Sequence, residues 1–276
     1  MTQNLTQHLI QTLLKQLRIV RYAAVAASAE YRHTHNWRTW TFGWLGRMLS
    51  QVTFFALIGK LLGSEQQMHY LVVGNAVMVC VMETMTVVAA GVRERYDGTL
   101  ALLTAAPAPM STVLFGRGLH APLGGALTSA VSLFLLAPLF GVHTPLAQLP
   151  VLALLILATA FSTYGIGLFL GALAIGLPGS RNVISTCCNL LMMAIAGVQV
   201  PVTFWPAWVQ AVASALPLTH ALAAVRAVVA GEGAATVARA AALTLLTGLA
   251  WLAAASLATA TVRQRGRRRG SFDYAG

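Results

Sequence analysis

The stretch Gly91–Pro109, GVRERYDGTLALLTAAPAP, sets two arginines, a glutamate and an aspartate between two long apolar runs. Elsewhere charge is scarce: 9% of the 276 residues are Asp, Glu, Lys or Arg, against about 25% in soluble domains. No residue pattern here supplies catalysis. G-x-x-x-x-G-K-[ST] is absent, so the chain has no P-loop for ATP, and neither H-E-x-x-H nor G-x-S-x-G occurs. The run YGIGLFLGALAIG (Tyr164–Gly176) contains G-x-G, but in an apolar stretch, where Gly167 and Gly171, four apart, suit close helix packing. Cys80, Cys187 and Cys188 sit in apolar stretches and read as small buried hydrophobes. His33 and His35 read as surface polarity, not as metal ligands. What remains is charge used for mechanical contact. Arg93–Ala106 is expected to form a short helix that Pro107 and Pro109 stop.

The elements that hold this stretch are apolar and long. With 57% hydrophobic residues and continuous apolar runs, the chain reads as an all-α polytopic membrane protein. A β-barrel would show short alternating segments. Six transmembrane helices are expected, near residues 40–62, 70–90, 111–140, 149–177, 183–200 and 240–262. They form one membrane domain, 40–262, between an N-terminal segment, 1–39, and a basic tail, 263–276. Leu9, Leu13, Leu14 and Leu17, with Lys15, Arg18 and Arg21 between, make the N-terminal segment either an amphipathic interfacial helix or a solvated lead-in.

Net charge is +11, and sixteen of the eighteen basic residues are arginine. In this composition the basic residues mark cytoplasmic flanks facing anionic lipid, not a nucleic-acid surface. Arginines precede span one, follow spans two and four, and fill the tail, so both termini are expected in the cytoplasm. Gly91–Pro109 then lies at the cytoplasmic mouth. Alanine-rich, arginine-over-lysine usage points to a bacterial cell membrane.

Two ionisable residues fall inside spans. Glu83 and Arg117 each lie about 10 Å from the expected inner boundary, counted at 1.5 Å per residue. They are expected to pair and lock spans two and three, to serve substrate passage or proton transfer, or to face different partners. Arg47 is placed to snorkel, and Trp37, Trp40 and Trp44 suit an interfacial belt. Beyond span five, prolines break Val202–Ala230 into two helices too short to cross, a re-entrant pair.

The run RERYDGTLALLTAAPAPMSTVLFGRGL resembles the cytoplasmic coupling segment of ABC-2 type transporter permeases, at Glu94, Gly98, Thr99, Leu100, Leu103, Pro107, Gly116 and Arg117. Ala101 departs from the acidic residue often found there. GVQVPVTFWPAWVQAVASALPLTHALAAVRAVVAG is similar to the family's extracellular segment, at Pro201, Pro206, Trp208, Leu216, Pro217, Leu218, Thr219, Arg226 and Gly231. The resemblance covers essentially the whole chain.

It implies an ABC-2 (type V exporter-like) fold, with a coupling helix between spans two and three and a re-entrant pair between spans five and six. Arg93, Glu94, Arg95, Asp97, Gly98, Thr99, Leu100, Leu103 and Pro107 would meet a separate cytoplasmic ATPase. Two ATPase copies, holding ATP and Mg, would drive two permeases, either a homodimer or sister chains. This chain itself would hold no cofactor and no metal. A cavity with few charges favours an amphiphilic or apolar cargo such as a drug, lipid, glycan or peptide. Met78, Met82, Met85, Met192 and Met193 are candidate walls, or else core packing. The competing reading is an ATP-independent carrier, against which stands the lack of an internal repeat.

Overall fold

The computed structural model describes residues 2–34, 38–106, 108–177, 179 and 181–269. Pro107, Trp37, His35 and the end of the basic tail, 270–276, lie outside the described residues.

Every described element is helical. Helix α1 (Thr2–Thr34) leads to a seven-residue π-helical turn, Thr39–Leu45, and to α2 (Gly46–Leu61). Helix α3 (Glu65–Thr84) runs through a 3-10 turn, Met85–Val87, into α4 (Val88–Tyr96). Then come α5 (Leu100–Ala105), α6 (Met110–Arg117) and α7 (His120–Val131), which π and 3-10 turns extend to Phe140. Helices α8 (Leu149–Ile175), α9 (Arg181–Ile195), α10 (Ala207–Ser214), α11 (Pro217–Val229) and α12 (Ala234–Arg269) complete the chain.

Four helical stretches are long and apolar enough to cross a membrane: Glu65–Tyr96, Met110–Phe140, Leu146–Ile175 and Ala234–Gly266. The bent pair α10–α11 makes five if counted as one broken span. The chain is therefore a multi-pass membrane protein. The expected spans at 40–62 and 183–200 do not meet the same measure. In α2 the apolar run is interrupted by Arg47, Gln51 and Lys60. Helix α9 has 15 residues, or about 22 Å, short of a hydrocarbon core about 30 Å thick.

Helix α3 is the axis of the bundle because it is apolar all round. Val72, Val73, Ala76, Val77, Met78, Val79, Cys80 and Val81 are buried on every side of it, against α2, α7 and α8. Cys187, by contrast, is exposed, because α9 turns it outward. The α3–α4 junction tightens where Thr84 and Thr86 turn their hydroxyls back on the carbonyls of Cys80 and Glu83. Gly167 and Gly171 of α8 face this junction, meeting Val87 and Val88. The packing expected of that pair is present.

On its other face α8 packs closely against α12. A Cβ at Gly248 would lie 2.5 Å from the Ser162 Cβ and 2.6 Å from its Cα. Gly248→Ala should cost about 1–3 kcal/mol, the usual range for overpacking. Its thermal midpoint in detergent should fall below that of Gly233→Ala, a site with nothing within 4 Å. Equal midpoints would show that the α8–α12 contact is loose.

Helix α1 lies along α6. Gly116 of α6 sits beside Val20 and Ala23, and Thr112 Oγ1 donates to Gln16 Oε1 at 2.7 Å. Ile10, Leu13, Leu14 and Leu17 remain exposed. Within the N-terminal segment, Thr2–Thr34 is thus one long helix with an exposed apolar stripe.

Candidate functional site

The charged stretch is built differently from the expectation. Arg93, Glu94 and Arg95 do not begin a separate short helix; they are the last turn of α4, continuous with α3. The helix stops later, where Gly98 takes φ +69 and the amides of Asp97 and Gly98 close on the carbonyls of Arg93 and Arg95. Only Leu100–Ala105 forms a separate helix, α5. Together α4, Asp97–Gly98 and α5 make an elbow.

Each arm of the elbow is tied to the bundle. Thr99 Oγ1 donates to the carboxylate and, at 3.2 Å, to the carbonyl of Glu94. Leu100 is buried against Met110, Leu114 and Ile175. Arg95 Nη1 donates to the Ile175 carbonyl at 2.9 Å, capping the end of α8. Arg263 of α12 donates to the Ala106 carbonyl at 2.8 Å. Leu103 is half-buried and Asp97 exposed. Leu102, by contrast, is 72% exposed.

Glu94 is 3% exposed and accepts from Arg117 Nε. Arg117 Nη2 reaches Glu30 of α1 at 2.8 Å, and Arg93 lies 3.7 Å from the same carboxylate. The expected Glu83–Arg117 pair is therefore corrected: Arg117 bridges α4 and α1, while Glu83 accepts from the Thr128 hydroxyl of α7. The reason is register. The helix carrying Glu83 runs on to Tyr96, so Arg117, at the start of the next span, is level with Glu94, and Glu83 is level with Gly124 and Thr128.

Beside the elbow lies a half-open cavity of about 510 Å³. Its charged wall is Glu30, Glu83, Arg93, Glu94 and Arg117; its apolar wall includes Ala27, Trp44, Met85 and Ala121. Of the five candidate methionines, Met85 lines it. Met78 and Met192 are fully buried in the core, and Met82 and Met193 pack against it. Trp44 is a cavity residue that carries Arg47 5.6 Å from its ring centroid, more than a plain interfacial anchor. Glu30 was missed by sequence reasoning. Its signal was a lone carboxylate in an otherwise basic N-terminal segment.

At the far end of α3 a second cluster forms around Arg226. Pro206 precedes α10 and Pro217 opens α11, each fitting a helix start because proline has no amide hydrogen to leave unpaired. The two helices meet at 85°. Thr219 Oγ1 donates to the Ala213 carbonyl at 2.7 Å, and Trp251 of α12 donates to the Ala215 carbonyl at 2.9 Å. Pro201 precedes the 3-10 turn Val202–Phe204, and Trp208 is exposed. Arg226 donates to the carbonyls of Gly197 (2.8 Å), Tyr70 (3.1 Å) and Val198 (3.3 Å). Its guanidinium lies 3.4 Å from the Tyr70 ring centroid, and the Tyr70 hydroxyl donates to Gly197 at 2.9 Å. The chain leaves α9 at Ile195 with Gly197 at φ +88, so its carbonyls lack helical partners and Arg226 supplies them.

Among the described residues, no three His, Cys, Asp or Glu side chains are placed to share a metal ion. No individual curated protein matches the chain. A family model described as ABC-2 type transporter matches residues 24–230. That region runs from within α1 to the end of α11 and takes in the elbow, the cavity and the Arg226 cluster. On that match, over about three-quarters of its length, the chain belongs to the ABC-2 type transporter family.

Proposed function

We propose that the chain is the permease subunit of an ATP-driven exporter, worked by a separate ATPase through the α4–α5 elbow. The observation that carries this reading is α5 itself. One of its leucines, Leu100, is buried in the bundle, and another, Leu102, is 72% exposed. A six-residue helix anchored on one side and apolar on the other suits docking. A push on it passes to α3–α4 through Thr99 and Glu94, to α6 and α1 through Arg117, to α8 through Arg95 and to α12 through Arg263.

ATP and Mg belong to the partner, in two copies, beneath a pair of permeases. In this reading α2 and α9, with the turns that flank them, complete six crossings. The arginine-rich connections put both termini and the elbow in the cytoplasm of a bacterial cell. The α10–α11 pair is then a re-entrant cap on the outer side, and cargo leaves between two permeases. Cargo is amphiphilic, with an apolar body.

Leu102→Asp tests this. Co-purification of the ATPase should fall by about tenfold or more, since a buried interfacial leucine is worth about 1.5–3 kcal/mol, while the permease itself stays folded. Undiminished ATPase recovery excludes docking through α5. Transport in vesicles with neither ATPase nor nucleotide would instead support the carrier reading.

A further inference from the structure

We propose that α1 binds the anionic phospholipid of the membrane surface on which it lies, and that this contact sets the α4–α5 elbow through Glu30. The coupling deepens the proposed permease role and rests on it; the lipid contact does not.

Three faces recur along α1 at about 3.6 residues per turn. One is turned to the bundle. Gln16 accepts from Thr112, Val20 and Ala23 meet Gly116, and Ala27 and Glu30 line the cavity beside the elbow. The next face is Ile10, Leu13, Leu14 and Leu17, each more than half exposed. The third carries Lys15 and Arg18, both exposed, and exposed Arg21 follows Leu17 by one turn, ending the apolar stripe. Glu30 is the first acidic residue of the chain, so no carboxylate is interspersed among these three cations.

The position of α1 decides what this surface meets. Thr112 and Gly116 sit in the first two turns of the spanning stretch Met110–Phe140, so α1 lies at the level where that span enters the bilayer. At such a boundary an open stripe of leucines turns to the acyl chains, and lysine and arginine stems carry their charge to the headgroup layer. A second copy of this chain, packed face to face, would set its own Lys15, Arg18 and Arg21 against these, like charge on like. Anionic phospholipid supplies both an apolar layer and the opposite charge, and each cation near it adds to the attraction.

The C-terminal end of the same helix bears on the elbow. Glu30 meets Arg117 Nη2 at 2.8 Å and Arg93 at 3.7 Å. Because α1 is a single helix from Thr2 to Thr34, a shift of its basic stretch at the headgroups reaches both arginines.

The test takes the purified permease, without ATPase or nucleotide, from nanodiscs of equal phosphatidylglycerol and phosphatidylcholine with matched chains. Retained lipids are counted by native mass spectrometry. Phosphatidylglycerol should be favoured by about tenfold or more, and Lys15→Gln, Arg18→Gln and Arg21→Gln together should lower that ratio about fivefold or more. Arg18→Lys with Arg21→Lys, which keeps the charge, should stay within about twofold of wild type. Should the neutral variant misfold, the wild-type chain still answers: phosphatidylglycerol with a photoreactive headgroup should label α1. No preference in the wild type, an unaltered ratio in the neutral variant, or labelling confined to other helices overturns the lipid contact. So does a Leu14→Asp, Leu17→Asp protein that falls from dimer to monomer at an unaltered ratio, which would seat the stripe on a second chain. With the ATPase added, phosphatidylglycerol should raise ATP hydrolysis severalfold, and Glu30→Gln should keep the lipid ratio but lose that rise. A rise undiminished in Glu30→Gln overturns the coupling. An ATPase that never binds would sink the exporter reading and the coupling with it, and leave the lipid contact standing.

Discussion

Arg226→Ala will remove three hydrogen bonds to backbone carbonyls at once, leaving Val198 without its side-chain donor while Gly197 keeps the Tyr70 hydroxyl, and the protein will lose about 3 kcal/mol of stability. The carbonyls of Gly197, Val198 and Tyr70 each accept from this one side chain. A buried polar group left without its partner costs about 1–3 kcal/mol. Relaxation at the end of α9 will recover part of the sum, so about 3 kcal/mol is expected, a fall of roughly 6–12 °C in thermal midpoint for a chain of this size. Arg226→Lys will rescue only partly. An ammonium can meet one or two carbonyls, but it cannot lie flat on the Tyr70 ring and reach all three. Tyr70→Phe, which removes the single hydroxyl bond to Gly197, should cost about 1 kcal/mol. The measurement is the monodisperse fraction after heating in detergent. If Arg226→Lys matches wild type, the fan of carbonyl contacts is not what holds α11 to the top of α3.

Arg117→Ala will be nearly as severe, for a different reason. It leaves Glu94, 3% exposed, as a buried carboxylate whose cation has gone, and leaves Arg93, at 3.7 Å, as the ion pair between the elbow and Glu30 of α1. Removing one partner of a buried pair typically costs about 3–5 kcal/mol. Adding Glu94→Gln should restore most of that loss, because the stranded charge disappears while its bond with Thr99 can persist. Adding Glu83→Gln instead should restore nothing, since Glu83 is held by Thr128. Yield and thermal midpoint of the two double variants decide the matter. Rescue by Glu83→Gln would falsify the register described here and reinstate a Glu83–Arg117 pair. On the exporter reading proposed above, the Glu94→Gln, Arg117→Ala protein in vesicles with the ATPase should bind its partner yet transport poorly, because the ion pair between the elbow and α6 is gone.

These two sites also show where sequence reading succeeds and where it stops. The runs from Tyr70, Ser111, Leu149 and Ala240 were legible as spans, since a bilayer demands length and apolarity and both are local properties. The break at Pro217 was legible too, because proline lacks an amide hydrogen; the stop at Gly98 was not, since Arg93–Ala106 was expected as one helix. The helix boundary near Ala90 was not. Hydropathy drops there, but a helix ends where its backbone is capped, and α4 continues to Tyr96. Counting depth from the wrong boundary made Glu83 and Arg117 look level.

Composition and local pattern by themselves determined that this is a helical, multi-pass membrane chain with a charged segment between two spans and a proline-broken pair later in the chain. Which charges meet was decided only by tertiary structure. Glu30 and Arg117 are 87 positions apart, and nothing in either neighbourhood names the other. The Nη atoms of Arg226 meet carbonyls, which every residue carries and no sequence can single out. The cavity, likewise, is a gap between helices whose rotation and depth are set by packing, by close approaches such as Gly116 on Val20 and Gly124 on Glu83, and not by any one segment.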